Sequence, residues 1–141
     1  MTFLVDTNVI VYAAVPSRYR AACLEILDAV ASGRADGRLS TAILEEIWHL
    51  ERTGRLGDID GLAEQSYRLF TPLLAVNDEI VARALQLEVP RIGANDRIHV
   101  ATALLNGIDT IVSADAGLDD ARSLRRVDPL DPAERGRLIR G

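Results

Sequence analysis

Residues 96–114, DRIHVATALLNGIDTIVSA, decide the fold class. Apolar positions over 96–106 recur at helical spacing, Gly107 supplies a stop, and TIVSA (110–114) is the clearest buried strand in the chain. Working outward, the same alternation recurs. Residues 2–5 form a short apolar strand, and 17–33 carry a helical pattern with Ser17 as a possible N-cap and Gly33 as a stop. Residues 38–41 read as a brief strand running into a helix at about 42–53, followed by a Gly/Asp-rich loop and a helix at about 60–70. TPLLAV (71–76) reads as a strand and DEIVARALQLE (78–88) as a helix. Short strands alternating with longer helices indicate βαβ units, hence one α/β domain with a mainly parallel central sheet flanked by helices. The segment from Pro129, 129–141, is polar, Arg-rich and weakly periodic, and reads as a C-terminal extension of a single domain spanning 1–141.

Composition narrows the chemistry. A 141-residue chain buries close to ~70% of the surface its unfolded form would expose, enough to fold alone. Its 48% hydrophobic and 26% charged content is that of a soluble globular protein, with no run near the ~18 apolar residues of a membrane span. Met1 and Thr2 lead straight into the apolar strand without the basic flank of a secretory signal, so the expected location is the cytoplasm. The single cysteine, Cys23, excludes an internal disulfide and a cysteine-cluster metal site, and reads as buried packing. All sixteen basic residues are Arg, which excludes chemistry that needs a Lys, a P-loop ATPase among them. The net charge of −5 argues against binding nucleic acid by charge alone. It is compatible with an acidic cleft that holds cations, because bound cations reverse the local sign.

Four acids then stand out. Asp6 closes the first strand, in FLVDTN, and Asp115 follows TIVSA; open parallel sheets place their ligand crevices at such strand ends. In STAILEEIWHL the apolar residues define one helix face, with Glu46 at its margin and Glu45 roughly opposite, so Glu46 is aimed toward the protein. Asp96 falls in the first turn of its helix, where the dipole favours a carboxylate. Each has an ordinary alternative: Asp6 or Asn8 as a helix cap, Asp96 as a dipole-favoured acid, Asp115 as the start of a turn before Gly117, Glu46 as a solvated helix residue. One cluster is a better account of all four, and a carboxylate cluster is what hard divalent cations require.

Taken in order, FLVDTNVIVYA, LSTAILEEIWHL, NDRIHVATALLNG and TIVSADAGLD resemble the PIN domain, and specifically the VapC-type toxins of bacterial toxin–antitoxin pairs, over nearly the whole chain. The resemblance implies a PIN-like α/β domain whose acidic positions fall on Asp6, Glu46, Asp96 and Asp115, with Asp119 as a possible extra acid on the metal side. Asn8 and Ser113 take its supporting polar positions, with Asn8 helping to hold Asp6. It also implies a Mg²⁺- or Mn²⁺-dependent endoribonuclease that cleaves RNA by water and leaves a 3′-hydroxyl and a 5′-phosphate. Asp6, Asp96 and Asp115 would be mainly metal ligands, while Glu46 binds metal or positions the water. The implied partners are RNA, a small VapB-like antitoxin whose tail enters the groove, and a second copy of the chain in a homodimer.

Other residues receive weaker assignments. Arg18, Arg20, Arg91 and Arg97 lie on segments expected near the cleft rim and are candidates for RNA phosphates. His99, one turn after Asp96, reads as a packed or solvated helix histidine and stays outside the expected site. Trp48, one of six aromatics, is a place for partner contacts. Two phosphoryl-transfer classes fail on the missing Lys: a haloacid-dehalogenase-type phosphatase, which would also need Asp where Asn8 stands, and a receiver domain. A structure-specific RNA or DNA processing nuclease outside any toxin–antitoxin pair, and a non-catalytic PIN-like binding module, remain as alternatives.

Overall fold

A computed structural model describes residues 1–140. Four strands, β1 (Thr2–Val5), β2 (Asp36–Arg38), β3 (Thr110–Val112) and β4 (Arg125–Val127), form one all-parallel sheet in the order β2-β1-β3-β4. Seven helices surround it among the described residues: α1 (Thr7–Ala14), α2 (Arg20–Ala31), α3 (Thr41–Thr53), α4 (Leu62–Phe70), α5 (Asp78–Gln86), α6 (Ala94–Leu105) and α7 (Pro132–Arg140). A 3₁₀ turn at Ala116–Asp120 follows β3. The expected α/β domain with its parallel sheet is the observed one.

Topology places the site. The chain passes from β1 to its neighbour β2, then returns to β3 on the other side of β1, so the order reverses between β1 and β3. In open α/β sheets the crevice for ligands opens at that switch point, beyond the carboxyl ends of the strands. Register sets what lines it: Leu4 pairs with Ile111 and Val5 with Val112, so Asp6 and Ser113 each stand one residue past a matched pair. Both strands are buried on both faces, Phe3, Leu4, Val5, Ile111 and Val112 being wholly inaccessible, which is the pattern of a sheet covered by helices on either side.

Most expected elements are present with shifted ends, and Gly107, at φ +68°, ends α6 in the left-handed region where glycine is favoured. Four differences have physical causes. Residues 7–14 form α1, whose helical period is hidden because Val9, Ile10, Val11 and Ala13 are all buried and the run is apolar nearly throughout. TPLLAV is not a strand: it contributes a single bridge, Leu74 with Ser40, and Pro72 lacks the amide a ladder needs. β4 is three residues at the sheet edge, RRV, too short and too charged to show alternation. The expected C-terminal extension is instead helix α7, packed on α2, with Leu138 and Ile139 buried in the main core. Arg135 fixes it, pairing with Glu25 on α2 at 2.8 Å and with the Pro129 carbonyl at 2.6 Å.

Candidate active site

Asp6 stands between the end of β1 and the start of α1. It caps α1, its Oδ1 accepting the Thr7 amide at 2.8 Å, and its Oδ2 accepts the Ser113 hydroxyl at 2.7 Å and the Asn8 amide at 3.3 Å. Asn8 also donates to Ser113 Oγ at 3.1 Å and accepts the Ala114 amide at 3.0 Å, while Ser113 Oγ accepts the Asp115 amide at 3.0 Å. Asn8 and Ser113 thus stitch the ends of β1 and β3 together and fix the Asp6 carboxylate between them. Burial pushes that carboxyl above its ordinary value, against the hydrogen bonds from Ser113 and Thr7 and the positive charge of His99.

Glu46 comes from α3, whose start is fixed by Ser40 accepting the Ile43 amide at 3.1 Å. As the helical wheel indicates, Glu46 turns inward and Glu45 is exposed. Glu46 Oε2 accepts the Thr7 hydroxyl, and Oε1 lies 2.9 Å from His99 Nε2. Burial disfavours the Glu46 charge, but the hydrogen bond and charge of His99, with the Thr7 hydroxyl, outweigh it and hold the carboxyl below its ordinary value. Asp96, half-buried in the first turn of α6, is pushed upward by burial and then by the negative charges of Asp6, Asp115 and Glu46. Acids from four elements therefore share one field, and the like-charge repulsion among them is what a bound cation would relieve.

The remaining expected acids have partners of their own. Asp115 is exposed and its Oδ1 accepts the Gly117 amide at 2.9 Å, so it starts the turn after β3 while its charge still reaches Asp96. Asp119 is engaged by Arg126, at 2.9 Å from Nε and 3.3 Å from the second guanidinium nitrogen, and Arg126 also donates to the Ser113 carbonyl at 2.9 Å. A guanidinium in that place competes with any cation for Asp119. Arg97 is not free for phosphate: its guanidinium donates to the carbonyls of Leu87, Val89 and Ile92 at 2.6, 2.7 and 3.1 Å and staples the loop that precedes α6. Arg18 leans on the Tyr19 ring, 5.0 Å from its centroid. Arg20 and Arg91 are exposed, with Arg91 in a separate groove beside Asp119 and Arg122.

His99 is the residue the sequence reading leaves outside the site and the structure puts in it. It is 1% exposed, its ring is bonded to Glu46, and one donor atom each of Asp6, Glu46 and His99 lie within 4.8 Å of one another. Its spacing was the available signal, since residues three apart on a helix share a face and Asp96 is three before it. Burial works against a charged ring, but the hydrogen bond to Glu46 and the charges of Glu46, Asp6 and Asp96 outweigh it and raise its pKa. Beside this cluster opens a groove of about 600 Å³ between α3 and α6, lined by Thr7, Glu45, Glu46, His49, Asn95 and His99 among others. Carboxylate oxygens held by hydroxyl, amide and imidazole donors at a sheet edge are suitable ligands for Mg²⁺ or Mn²⁺, and the mutual repulsion at Asp96 makes a cation there favourable.

The family model described as the PIN domain matches residues 3–124. Three solved structures are similar to the chain over most of its length. FitAcB from Neisseria gonorrhoeae superposes with a TM-score of 0.67 at 20% identity, covering 92% of this chain and 99% of that one. VapBC2 from Rickettsia felis, solved bound to a DNA fragment from their promoter, gives 0.68 at 15% identity over 90% and 98%. PAE2754 from Pyrobaculum aerophilum gives 0.63 at 18% identity over 100% and 98%. No curated protein sequence matches.

Proposed function

The chain belongs to the PIN domain family, and on that premise we propose that it is a Mg²⁺- or Mn²⁺-dependent endoribonuclease, the toxin of a toxin–antitoxin pair. The observation that carries the reading is the cluster of Asp6, Glu46 and His99 at the β1/β3 switch point, with Asp96 in the first turn of α6 and Asp115 after β3 adding negative charge beside it. Asp6 and Asp96 are the principal ligands of the cation, Asp115 closes the set from the turn after β3, and Glu46 binds the cation or orients the attacking water. Asp119, bound to Arg126, serves the turn rather than the cation. When bound, a hard divalent cation supplies water activation at neutral pH and neutralises charge developing on the phosphodiester. The protein's part is to hold carboxylates at fixed positions: Asp6 through Ser113 and Asn8, Glu46 through Thr7 and His99. No Ser or Cys nucleophile is required, and Cys23, buried and pushed up to about 12 mainly by that burial, is inert.

The toxin assignment is supported by fold likeness to VapBC2 and by a surface suited to a partner. Trp48, 58% exposed, and Tyr67 face a second groove between α3 and α4 with Leu44 and Ala63, and an apolar antitoxin helix would fill it. Among the described residues no helix is long and apolar enough to cross a membrane.

Incubating the purified protein with a mixed RNA pool tests the activity. Cleavage that needs Mg²⁺ or Mn²⁺, stops with EDTA, is lost in Asp6→Asn and leaves 5′-phosphates is the expected result. Cutting of structured DNA in preference to RNA would favour a processing nuclease, and no cutting by folded protein free of antitoxin would leave a binding module.

A further inference from the structure

Glu46 is tied at both carboxylate oxygens to the helices on either side of it. Thr7, next to Asp6 on α1, donates its hydroxyl to Oε2, and His99, on the same face of α6 as Asp96, lies 2.9 Å from Oε1. An ionised carboxylate only accepts, so the hydrogen of the His99 bond sits on Nε2, and it does so whether the ring is neutral or charged. Nε2 thus has no lone pair for a cation. The other ring nitrogen, Nδ1, is buried with no hydrogen-bond partner among the described residues. A ring that is 1% exposed, with Nδ1 unsatisfied and Nε2 on Glu46, is tied to its place by that one carboxylate. Among the described residues, the one side-chain hydrogen bond of His99 is with Glu46.

We propose that His99 is a positioning residue: its Nε2–H holds the Glu46 carboxylate against the Thr7 hydroxyl in the geometry the divalent cation needs, and it is not itself a ligand. The inference rests on the nuclease reading for its catalytic consequence and on the geometry alone for its effect on cation binding. Hydrogen-bond partners of this kind typically change metal affinity or activity by about 10–100-fold when removed. A merely structural histidine would alter the melting temperature of the leucine variant and leave its Mg²⁺ affinity unmoved, whereas a positioning one must change the affinity.

The test compares the unsubstituted protein with His99→Leu and His99→Gln, whose side-chain amide can still donate toward Glu46. Mg²⁺ affinity is measured by calorimetric titration, melting temperature in EDTA, and kcat and KM on a cleaved RNA. His99→Leu, which leaves Glu46 Oε1 without its partner at 2.9 Å, is expected to melt lower in EDTA, to bind Mg²⁺ about 10–100-fold more weakly, and to lose kcat in that range with KM unchanged. His99→Gln should recover most of the affinity and rate. Nitrogen-15 NMR of the two imidazoles, His49 and His99, should show Nε2 of His99 still protonated after Mg²⁺ is added. Unchanged Mg²⁺ affinity in His99→Leu, a lost affinity that His99→Gln does not recover, or loss of the Nε2 proton on adding Mg²⁺ would each overturn the proposal. If the protein cuts no RNA, the nuclease reading fails while the titration and the NMR still decide the role of His99.

Discussion

Asp96 carries the tension of the site. Its carboxyl is pushed up by burial and by the charges of Asp6, Asp115 and Glu46, so the folded protein holds that proton more tightly than the unfolded chain does. A raised carboxyl pKa contributes stability below the ordinary value near 3.8 and loses it as pH rises through the folded-state pKa. In EDTA, Asp96→Asn should therefore equal the unsubstituted protein at low pH and exceed it at neutral pH, where a charge disfavoured by burial and by its acidic neighbours has been removed. Urea melts at several pH values measure this, and a neutral-pH loss of stability in the variant would show that Asp96 is held by favourable contacts instead. At this scale the placements of Asp6, Asp96 and Asp115 were legible because strand ends and helix first turns announce themselves in sequence. What was not legible was how polar partners are used. Arg97 turns back onto three carbonyls and Arg126 takes Asp119, pairings across loops and strands that no local spacing encodes.

Elements with strong periodicity, α2 through α6, could be read directly, whereas those decided by tertiary burial could not. α1 is apolar on nearly all sides because it is buried between neighbours, and α7 has too few apolar residues to show a face. Yet Leu138 is 1% exposed and lies in the main core, so α7 belongs to the domain and is not an appendage. Leu138→Ala should cost about 2–5 kcal/mol, read from the shift in the urea midpoint at constant slope. A cost below about 0.5 kcal/mol would mean that α7 adds nothing to the fold. Close packing also sets β2 against α2. At Gly37 an added Cβ would meet Val30 Cγ2 at 2.8 Å, so the absence of a side chain there is a packing requirement.

For the whole molecule, the reversal of strand order at β1/β3 brings chain segments more than a hundred residues apart into one site, as the Ser113 to Asp6 hydrogen bond shows. The order of motifs in the sequence implied that meeting, and register explains it. Assembly is a separate matter, carried by surfaces that the core does not need. Val81 and Leu85 lie one turn apart on α5, and Leu85 is 81% exposed, an apolar face suited to the second copy of the chain that the family resemblance implies. Leu85→Glu should leave the fold intact and shift the sedimentation coefficient from dimer to monomer. A dimer unchanged by that substitution would place the interface elsewhere.

The claim on which the rest depends is that the switch-point carboxylates form one divalent-cation site, and thermal melts with and without Mn²⁺ test it without any substrate. A ligand that binds only the folded state at about 100 times its Kd stabilises by about 2.7 kcal/mol, roughly 5 °C or more for a chain of this size. Saturating Mn²⁺ should raise the melting temperature of the unsubstituted protein by that amount and leave the double variant Asp6→Asn, Asp96→Asn unmoved. An equal rise in both, or none in the unsubstituted protein, would contradict the account.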